Sequence, residues 1–565
     1  MLICGVKVSH DGGVAVFDGD TLLFSIELEK VGNGRRYSPL GDLDRVGDLL
    51  SAHGIAPGSV DQFVLDGWWD EAGTGGPSIR TARGGRPHTV TVAPYVHSGR
   101  GSAPLDRYLF STDGLGGPGE TGYASYYHAT GHLMGAYATS PFARRGEDAL
   151  VLVWDGGITP RLYEVRAREH TVRTVAPLLS AIGNVFPHLC GRLEPFRVPA
   201  VAIGADEAQQ RQHLEIAGKA MAYAALGTVR EAAFGVLDEL LVAHPPITDQ
   251  ACVELSEKLV VARDELLPGM SDADIIATLQ DYLGARLLDS LRQVVSRRFP
   301  GSRPNLCMGG GCALNIKWNT AIRASGRFAD VWVPPFPNDS GAAIGTAACE
   351  LFLRHRTPAV RWDVFQGPAL GHEVPGPPWR SRPCRPDEVA EILYREGEPV
   401  VVLDGRAELG PRALGSRSIL APATAPEMKA RLNQLKERAF YRPVAPICLA
   451  SRAAEVFDPG TADPYMLFEH RLRPGWADRI PAVVHLDGTA RLQTVDDASA
   501  SSTVQILRGY ERRSGIPVLC NTSANLSGHG FFTDAATAAR WGRVRYVWAA
   551  GVLHSLDPSG LDSGG

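Results

Sequence analysis

The sequence predicts an α/β protein of two domains, the first with a duplicated core of the actin-like, ribonuclease-H-like kind. Three observations carry this. The apolar run LICGVKV is followed by GVAVFDGDTLLFSIELE, two strands around an Asp-Gly turn. The plan recurs in DALVLVWDGG, an apolar strand closed by acidic and glycine residues, and RLYEVRAREHTVRTVAP, two further strands. Seven prolines between Pro358 and Pro386 then interrupt the pattern and mark a linker. The expected division is a first domain over 1–370, a linker over 371–384 and a second domain over 385–565.

Between the two strand units, YASYYHATGHLMGAYA reads as a helix. SDADIIATLQDYLGARLLDSLRQVVSRRFP reads as a long one, with Ser271 as N-cap, Asp274 three residues on and Pro300 at its end. Ile275, Leu279, Leu283, Leu287 and Leu291 recur every four residues and face a core. NLCMGGGCALN is a strand entering a glycine turn, and DVWVPPFPNDSGAAIGTA a strand followed by a helix start. After the linker come a helix (DEVAEILYREG), a strand (PVVVLDG) and the segment ELGPRALGSRSIL.

Length, composition and charge narrow the function. With 565 residues, 44% hydrophobic and 21% charged, the chain has the make-up of a multi-domain globular protein. A net charge of −5 argues against broad binding to nucleic acid or anionic membrane, while allowing a local basic pocket. Nine scattered cysteines form no disulfide framework and suit a reducing compartment. The start MLICGVKVSHDGG lacks a basic leader region, and no run of about 18 apolar residues occurs. A cytoplasmic enzyme is the expectation.

Two sets of residues point to chemistry. His128 and His132, four apart, lie on one helix face and can share a metal; packed histidines meet the same spacing. Asp155 ends the buried strand ALVLVWD, where an unpaired charge is costly, and Asp339 follows DVWVPP. Two imidazoles with one or two carboxylates suit Fe(II), Zn or Mn; Asp339 also reads as a helix N-cap. Gly309, Gly310 and Gly311 form a turn whose backbone can approach a ligand. Gly218-Lys219 lacks the rest of a phosphate-binding loop, and the GxGxxG at Gly117, Gly119 and Gly122 follows no clear strand. In the C-terminal half, Arg412 and Arg417 sit in a short glycine-bounded segment, joined by Lys436, Arg438, Arg442 and Arg491. Such forks match phosphate geometry and stay charged, and a phosphorylated small molecule is the expected ligand. Asn521, Thr522, Ser523 and Asn525 in PVLCNTSANLSG add neutral groups for an amide-bearing ligand.

GPRALGSRSIL, LNQLKERAFYRPVAP and HLDGTARLQTV, with HATGH, GKAMAYAALG, GGGCALN and NDSGAAIGTA in order, resemble the ATP-dependent O-carbamoyltransferases of antibiotic and nodulation-factor biosynthesis over nearly the whole chain. The resemblance implies an actin-like N-terminal domain and a YrdC-like C-terminal domain. It implies that carbamoyl phosphate and ATP, with Mg, give carbamoyl adenylate, and that an alcohol takes the carbamoyl group as AMP leaves. It implies an iron-like ion on His128, His132, Asp155 and Asp339, and adenosine against Gly309, Gly310, Gly311 and Asn315. Phosphates would be held by Arg412, Arg417, Lys436, Arg442, Arg491 and Asn521, and His10 in SHDGG would be general base; a structural His10 is the alternative. A homodimer is expected.

The sequence departs from the family pattern at IELEKVGNGRRYS, where Arg35 or Arg36 stands in for an expected basic residue, at DGGI and at NTSANLSG. The segment GNVFPHLCGRLEPFRVPAVAIGADEAQQ matches poorly and is expected to shape the acceptor pocket. A transferase acting on tRNA or on a maturation protein is a rival reading. The net charge disfavours the first and the lack of CxxC pairs the second. A non-catalytic nucleotide-binding scaffold is the other rival, and would not need the arginine cluster.

Overall fold

In the computed structural model, residues 1–70, 75–98, 102–117, 119–198 and 207–556 are described. β1 (Leu2–Lys7) pairs antiparallel with β2 (Gly13–Asp18), and β3 (Thr21–Glu27) lies beyond β2. β4 (Gln62–Asp66) runs parallel to β1, β8 (Glu120–Tyr126) parallel to β4, and β7 (Tyr108–Asp113) closes the six-stranded order β3-β2-β1-β4-β8-β7. β5 (Ser78–Arg83) and β6 (Arg86–Thr91) form a separate two-stranded ribbon.

The same order returns in a second sheet. β9 (Ala149–Asp155) pairs antiparallel with β10 (Ile158–Arg166), which pairs with β11 (Thr171–Pro177). β12 (Leu306–Gly309) runs parallel to β9, and β13 (Val331–Trp332) parallel to β12. All seven residues of β9 are buried, as its continuous apolar run requires of a strand covered on both faces.

Two helices settle the local geometry. Every residue of the helix His128–Ala138 is buried, and the helix Ala342–Arg354 is buried for all but its last two residues. They cross at glycine: a Cβ on Gly345 would lie 2.0 Å from the Gly131 carbonyl oxygen. That approach brings the first turn of one helix beside the start of the other. The long helix spans Asp272–Arg298 with the Ser271/Asp274 capping box, and Ile275, Leu279, Leu283, Leu287 and Leu291 are all buried.

The chain divides into two compact units at other places than expected: residues 1–25 with 37–362, and 26–36 with 363–565. The segment 371–384 is no free spacer, because β14 (Arg380–Pro383) within it joins a sheet. Upstream, 367–371 is bonded to 405, 407 and 533. Prolines there remove donors without preventing extended chain from lying along a neighbour.

The second unit holds β15 (Val400–Leu403), β16 (Arg417–Pro422), β17 (Ala445–Leu449), β18 (Phe457–Asp458), β19 (His470–Leu472), β20 (Thr489–Ala490), β21 (Gln493–Val495), β22 (Val518–Ser523), β23 (Tyr546–Ala549) and β24 (Val552–Ser555). Eight strands run in the order β14-β24-β23-β15-β16-β22-β17-β21, and β18-β19-β20 form a small sheet. Val401, Ile419, Leu519 and Val547 lie in its core, as do Val389 of the helix Pro386–Arg395 and Leu507 of the helix Ser502–Ser514.

Gly345→Ala is expected to lower stability by about 1–3 kcal/mol, because the new methyl group meets backbone that cannot move aside; the denaturation midpoint measures it. His97 gives a pH signature. It is buried against Tyr127 and Tyr163, and burial, then Arg161, push it down to about 4. A histidine held neutral in this way adds stability that is complete above about pH 6.5 and is lost as pH falls towards 4. The melting temperature of His97→Gln is therefore expected to fall less steeply than that of the unaltered protein between pH 6.5 and 4.

Candidate functional site

In the first unit, His128 and His132 converge with Asp155 at the end of β9 and Asp339 at the turn opening the helix 342–354. One ligand atom from each lies within 4.8 Å of all the others, and all four residues are buried. The two imidazole Nε2 atoms are 3.0 Å apart, and Asp339 Oδ1 is 3.4 Å from each. His128 Nδ1 is 2.7 Å from Asp66 Oδ2, so its proton belongs on Nδ1 and the Nε2 lone pair faces the cluster. At that separation a proton on one Nε2 or a cation shared by both must lie between the two nitrogens, and two imidazoles with two carboxylates are common metal ligands. The donor set therefore fits a metal ion, and these four residues can bind one.

The surround is polar and tightly held. Lys7, 1% exposed, bridges Asp66 Oδ2 at 2.8 Å and Asp339 Oδ2 at 2.9 Å and lies over the Trp68 ring. Burial pushes the Lys7 ammonium down, but Asp339 and Asp66 carry it above the usual lysine range. Burial likewise pushes Asp155 up, while His132 and His128 outweigh it and hold it at about 2. Asp155 accepts from Tyr95 Oη at 3.1 Å and from Gly311 N–H at 2.5 Å. Gly310, at φ +88°, has no room for a side chain: a Cβ would stand 2.3 Å from the Trp154 carbonyl oxygen. The N–H groups of Gly310 and Gly311 donate to Pro337 and Asp155. Gly309 packs its Cα side against His132, and Asn315 accepts from Lys317 and Trp318 N–H as a helix cap.

His10 stands at the rim, its side chain 29% exposed. Its Nδ1 is 2.9 Å from Asp11 Oδ2 and its Nε2 3.6 Å from Asp339 Oδ2. Part of the poorly matching segment, 199–206, lies outside the described residues.

The second unit gathers cations. Glu408, fully buried, accepts the N–H groups of Leu414, Ser416 and Arg417 and so curls 408–417 into a closed loop. Gln493 donates to the Leu414 carbonyl and Asn521 to the Ala413 carbonyl, fixing the loop to β21 and β22. Arg412 rides on this loop. Arg417 does not present its charge at the surface of a pocket as expected: it is 1% exposed and donates to the carbonyls of Asp404, Gly405 and Ser416. Lys436 is buried too and donates to Ser523 and Asn525.

These cations repel one another. Burial, then Arg442 and Arg36, push Arg438 down to about 9, and burial, then Arg438 and Arg442, push Arg491 down to about 10 against the pull of Asp463. Burial, then Arg438 and Arg36, lower Lys436 well below its ordinary value. A guanidinium keeps its proton at working pH, so the depression registers the cost of burial first and mutual repulsion second, and a bound anion relieves the repulsion.

Sequence reasoning missed Lys7, Asp66, Glu27, Lys30 and Glu408. Lys7 and Asp66 carried the signal that exposed Asp155, a charge at the end of an apolar strand.

Comparison with known proteins identifies the family. The sequence family described as carbamoyltransferase N-terminus matches residues 2–97 and 119–349, and carbamoyltransferase C-terminus matches 390–547. Nodulation protein U of Rhizobium tropici is 45% identical over 574 residues, covering 99% of this chain and 96% of that protein. The 3'-hydroxymethylcephem-O-carbamoyltransferase of Amycolatopsis lactamdurans is 32% identical over 537 residues, 94% of each chain. Among solved structures, the activator of 2-hydroxyisocaproyl-CoA dehydratase from Clostridium difficile covers 64% of this chain and all of its own, at 13% identity and a TM-score of 0.31, too distant to carry an argument.

His132→Ala is expected to abolish stoichiometric binding of added Fe(II) or Zn(II), and Asp66→Asn to weaken it roughly 10- to 100-fold, as read by metal analysis after dialysis. On its two matching families and on relatives aligned along nearly its whole length, the chain belongs to the carbamoyltransferase family.

Proposed function

We propose that the enzyme makes carbamoyl adenylate from carbamoyl phosphate and ATP in the second unit, and discharges the carbamoyl group onto the hydroxyl of a small natural product in the first. The observation that carries this reading is the crowding of like charge at buried Lys436 and half-buried Arg438, Arg442 and Arg491. Such a cluster suits two phosphorylated substrates and repels itself without them.

In the loading reaction, water attacks carbamoyl phosphate, the P–O bond to the bridging oxygen breaks, and carbamate and inorganic phosphate form with release of one proton. A carbamate oxygen then attacks the α-phosphorus of ATP, the bond to the β-phosphate breaks, and pyrophosphate leaves. Arg412, Arg442 and Arg491 hold the phosphates and stabilise the charge that builds on the leaving pyrophosphate. Arg417 and Lys436 act by shaping the loop and the β22 turn. Asn521 Oδ1 is buried with no hydrogen-bond partner and suits the amino group of the carbamoyl unit.

In the discharge reaction, the acceptor oxygen attacks the carbamoyl carbon and the bond to AMP breaks. His10, oriented through Nδ1 by Asp11, takes the hydroxyl proton on Nε2. His128, His132, Asp155 and Asp339 would hold a divalent ion such as Fe(II), which would supply positive charge to stabilise the AMP leaving group. The adenosine lies against the turn of Gly309 to Gly311 and Asn315, where a Cβ on Gly311 meets only Asp155. The recurring sheet order suits an actin-like core for the first unit, and the mixed eight-stranded sheet a YrdC-like second unit. A cephem relative named for its hydroxymethyl acceptor supports an alcohol as the group carbamoylated.

Arg412→Ala is expected to abolish ATP- and carbamoyl phosphate-dependent pyrophosphate release while transfer from supplied carbamoyl adenylate continues. Normal pyrophosphate release by that variant would refute the assignment of two reactions to two units.

A further inference from the structure

We infer that residues 26–36 are part of the loading site, with Arg36 as a further phosphate-binding cation and Glu27 and Lys30 as positioning residues for the loop that carries Arg412. The inference rests on the loading reaction proposed above and adds residues to it.

The segment belongs to the second unit although the chain before and after it belongs to the first. Its attachment is specific. Lys30 Nζ donates to Glu27 Oε1 at 2.7 Å, to the Glu408 carbonyl at 2.6 Å and to the Gly410 carbonyl at 2.7 Å, with its side chain 1% exposed. Glu27 Oε1 also accepts the Gly410 N–H at 2.8 Å. One buried ion pair therefore grips both carbonyls and an amide on the entry side of the loop, two residues before Arg412. Inside the loop, Glu408 ties down the exit side through Leu414, Ser416 and Arg417. Arg412 is left as the charged side chain between two fixed ends.

Further along, Arg36 N–H donates to the Gly528 carbonyl at 3.0 Å and Gly530 N–H to the Gly34 carbonyl at 2.9 Å. A Cβ on Gly530 would lie 1.8 Å from the Glu29 carbonyl oxygen, so the two stretches touch along their backbones. The same turn supplies Asn525, the acceptor of Lys436. Arg36 thus enters the cation cluster from outside the segments that carry its other members. Its Nε is buried without a hydrogen-bond partner, and its charge lowers both Lys436 and Arg438. A cation added to an already repulsive cluster is stable only where an anion is to be shared.

The test separates binding from turnover. Binding of inorganic pyrophosphate is measured by calorimetry, and ATP- and carbamoyl phosphate-dependent pyrophosphate release by steady-state kinetics. Arg36→Gln is expected to weaken pyrophosphate binding and raise KM for ATP or carbamoyl phosphate by about tenfold or more. Arg36→Lys is expected to recover most of the loss, and both are expected to transfer from supplied carbamoyl adenylate within about twofold of the unaltered enzyme. Glu27→Gln, close in volume, and Lys30→Met are expected to lower kcat of pyrophosphate release more than they raise KM, each checked for an intact fold by circular dichroism. Unchanged pyrophosphate affinity and KM in Arg36→Gln would overturn the binding role, and an unchanged kcat in folded Glu27→Gln the positioning role. If the unaltered protein binds pyrophosphate and Arg36→Gln does not, yet neither turns over ATP with carbamoyl phosphate, the loading reaction falls and the role of Arg36 as an anion ligand stands.

Discussion

A single ammonium group, Lys7 Nζ, holds the first cluster together. Burying an ion costs several kcal/mol, and here it is recovered through two carboxylates at hydrogen-bond distance. Asp66 passes the constraint on to His128, and Asp339 is one of the four residues able to hold a metal. Without a metal, the carboxylates Asp66 and Asp339 hold a proton on His128; once the imidazoles are neutral, as metal ligation requires, Asp66, Asp155 and Asp339 exceed the one ammonium by two negative charges in a buried space. A dication closes that gap. The geometry that allows it is set by backbone contact between helices at Gly345 and Gly131 and by the tight turn at Gly310.

The second unit has the opposite imbalance. Its cations are held mostly by backbone carbonyls rather than by carboxylates: Arg417 by Asp404, Gly405 and Ser416, Lys436 by Ser523 and Asn525. Carbonyl dipoles fix a cation's position without cancelling its charge. The field of the cluster is therefore preserved for a ligand, and the fully buried carboxylate of Glu408 spends one oxygen on amide groups. One unit asks for a cation and the other for anions, and the protein itself supplies neither.

Much of this was legible in the sequence, and the reasons are local. The helix 272–298 could be read because its cap, its four-residue leucine spacing and its terminating proline all lie within one stretch. Asp155 stood out because charge at the end of a wholly apolar strand has no packing explanation. Arg417 was read as facing a ligand because a guanidinium between glycines looks the same in sequence whether it meets phosphate or carbonyls; its three acceptors come from the loop's own fold. The unit boundary was read from proline density, yet proline only removes donors. The pairing of β14 with β24, about 170 residues away, is a long-range fact that no local pattern encodes. The role of 26–36 was hidden for the same reason, since its partners begin 378 residues later.

That interleaving of the chain has a consequence for how the molecule is made. During synthesis the clamp residues Glu27 and Lys30 leave the ribosome long before the loop they grip, and the first unit must reach its compact state with this excursion left open. A gene cut after residue 362 would yield a C-terminal fragment whose Arg412 loop lacks its entry-side anchor, however well the remaining sheet assembled. Recombining halves of related enzymes at that point would mismatch clamp and loop; an exchange that keeps them matched carries the C-terminal part together with the eleven residues 26–36.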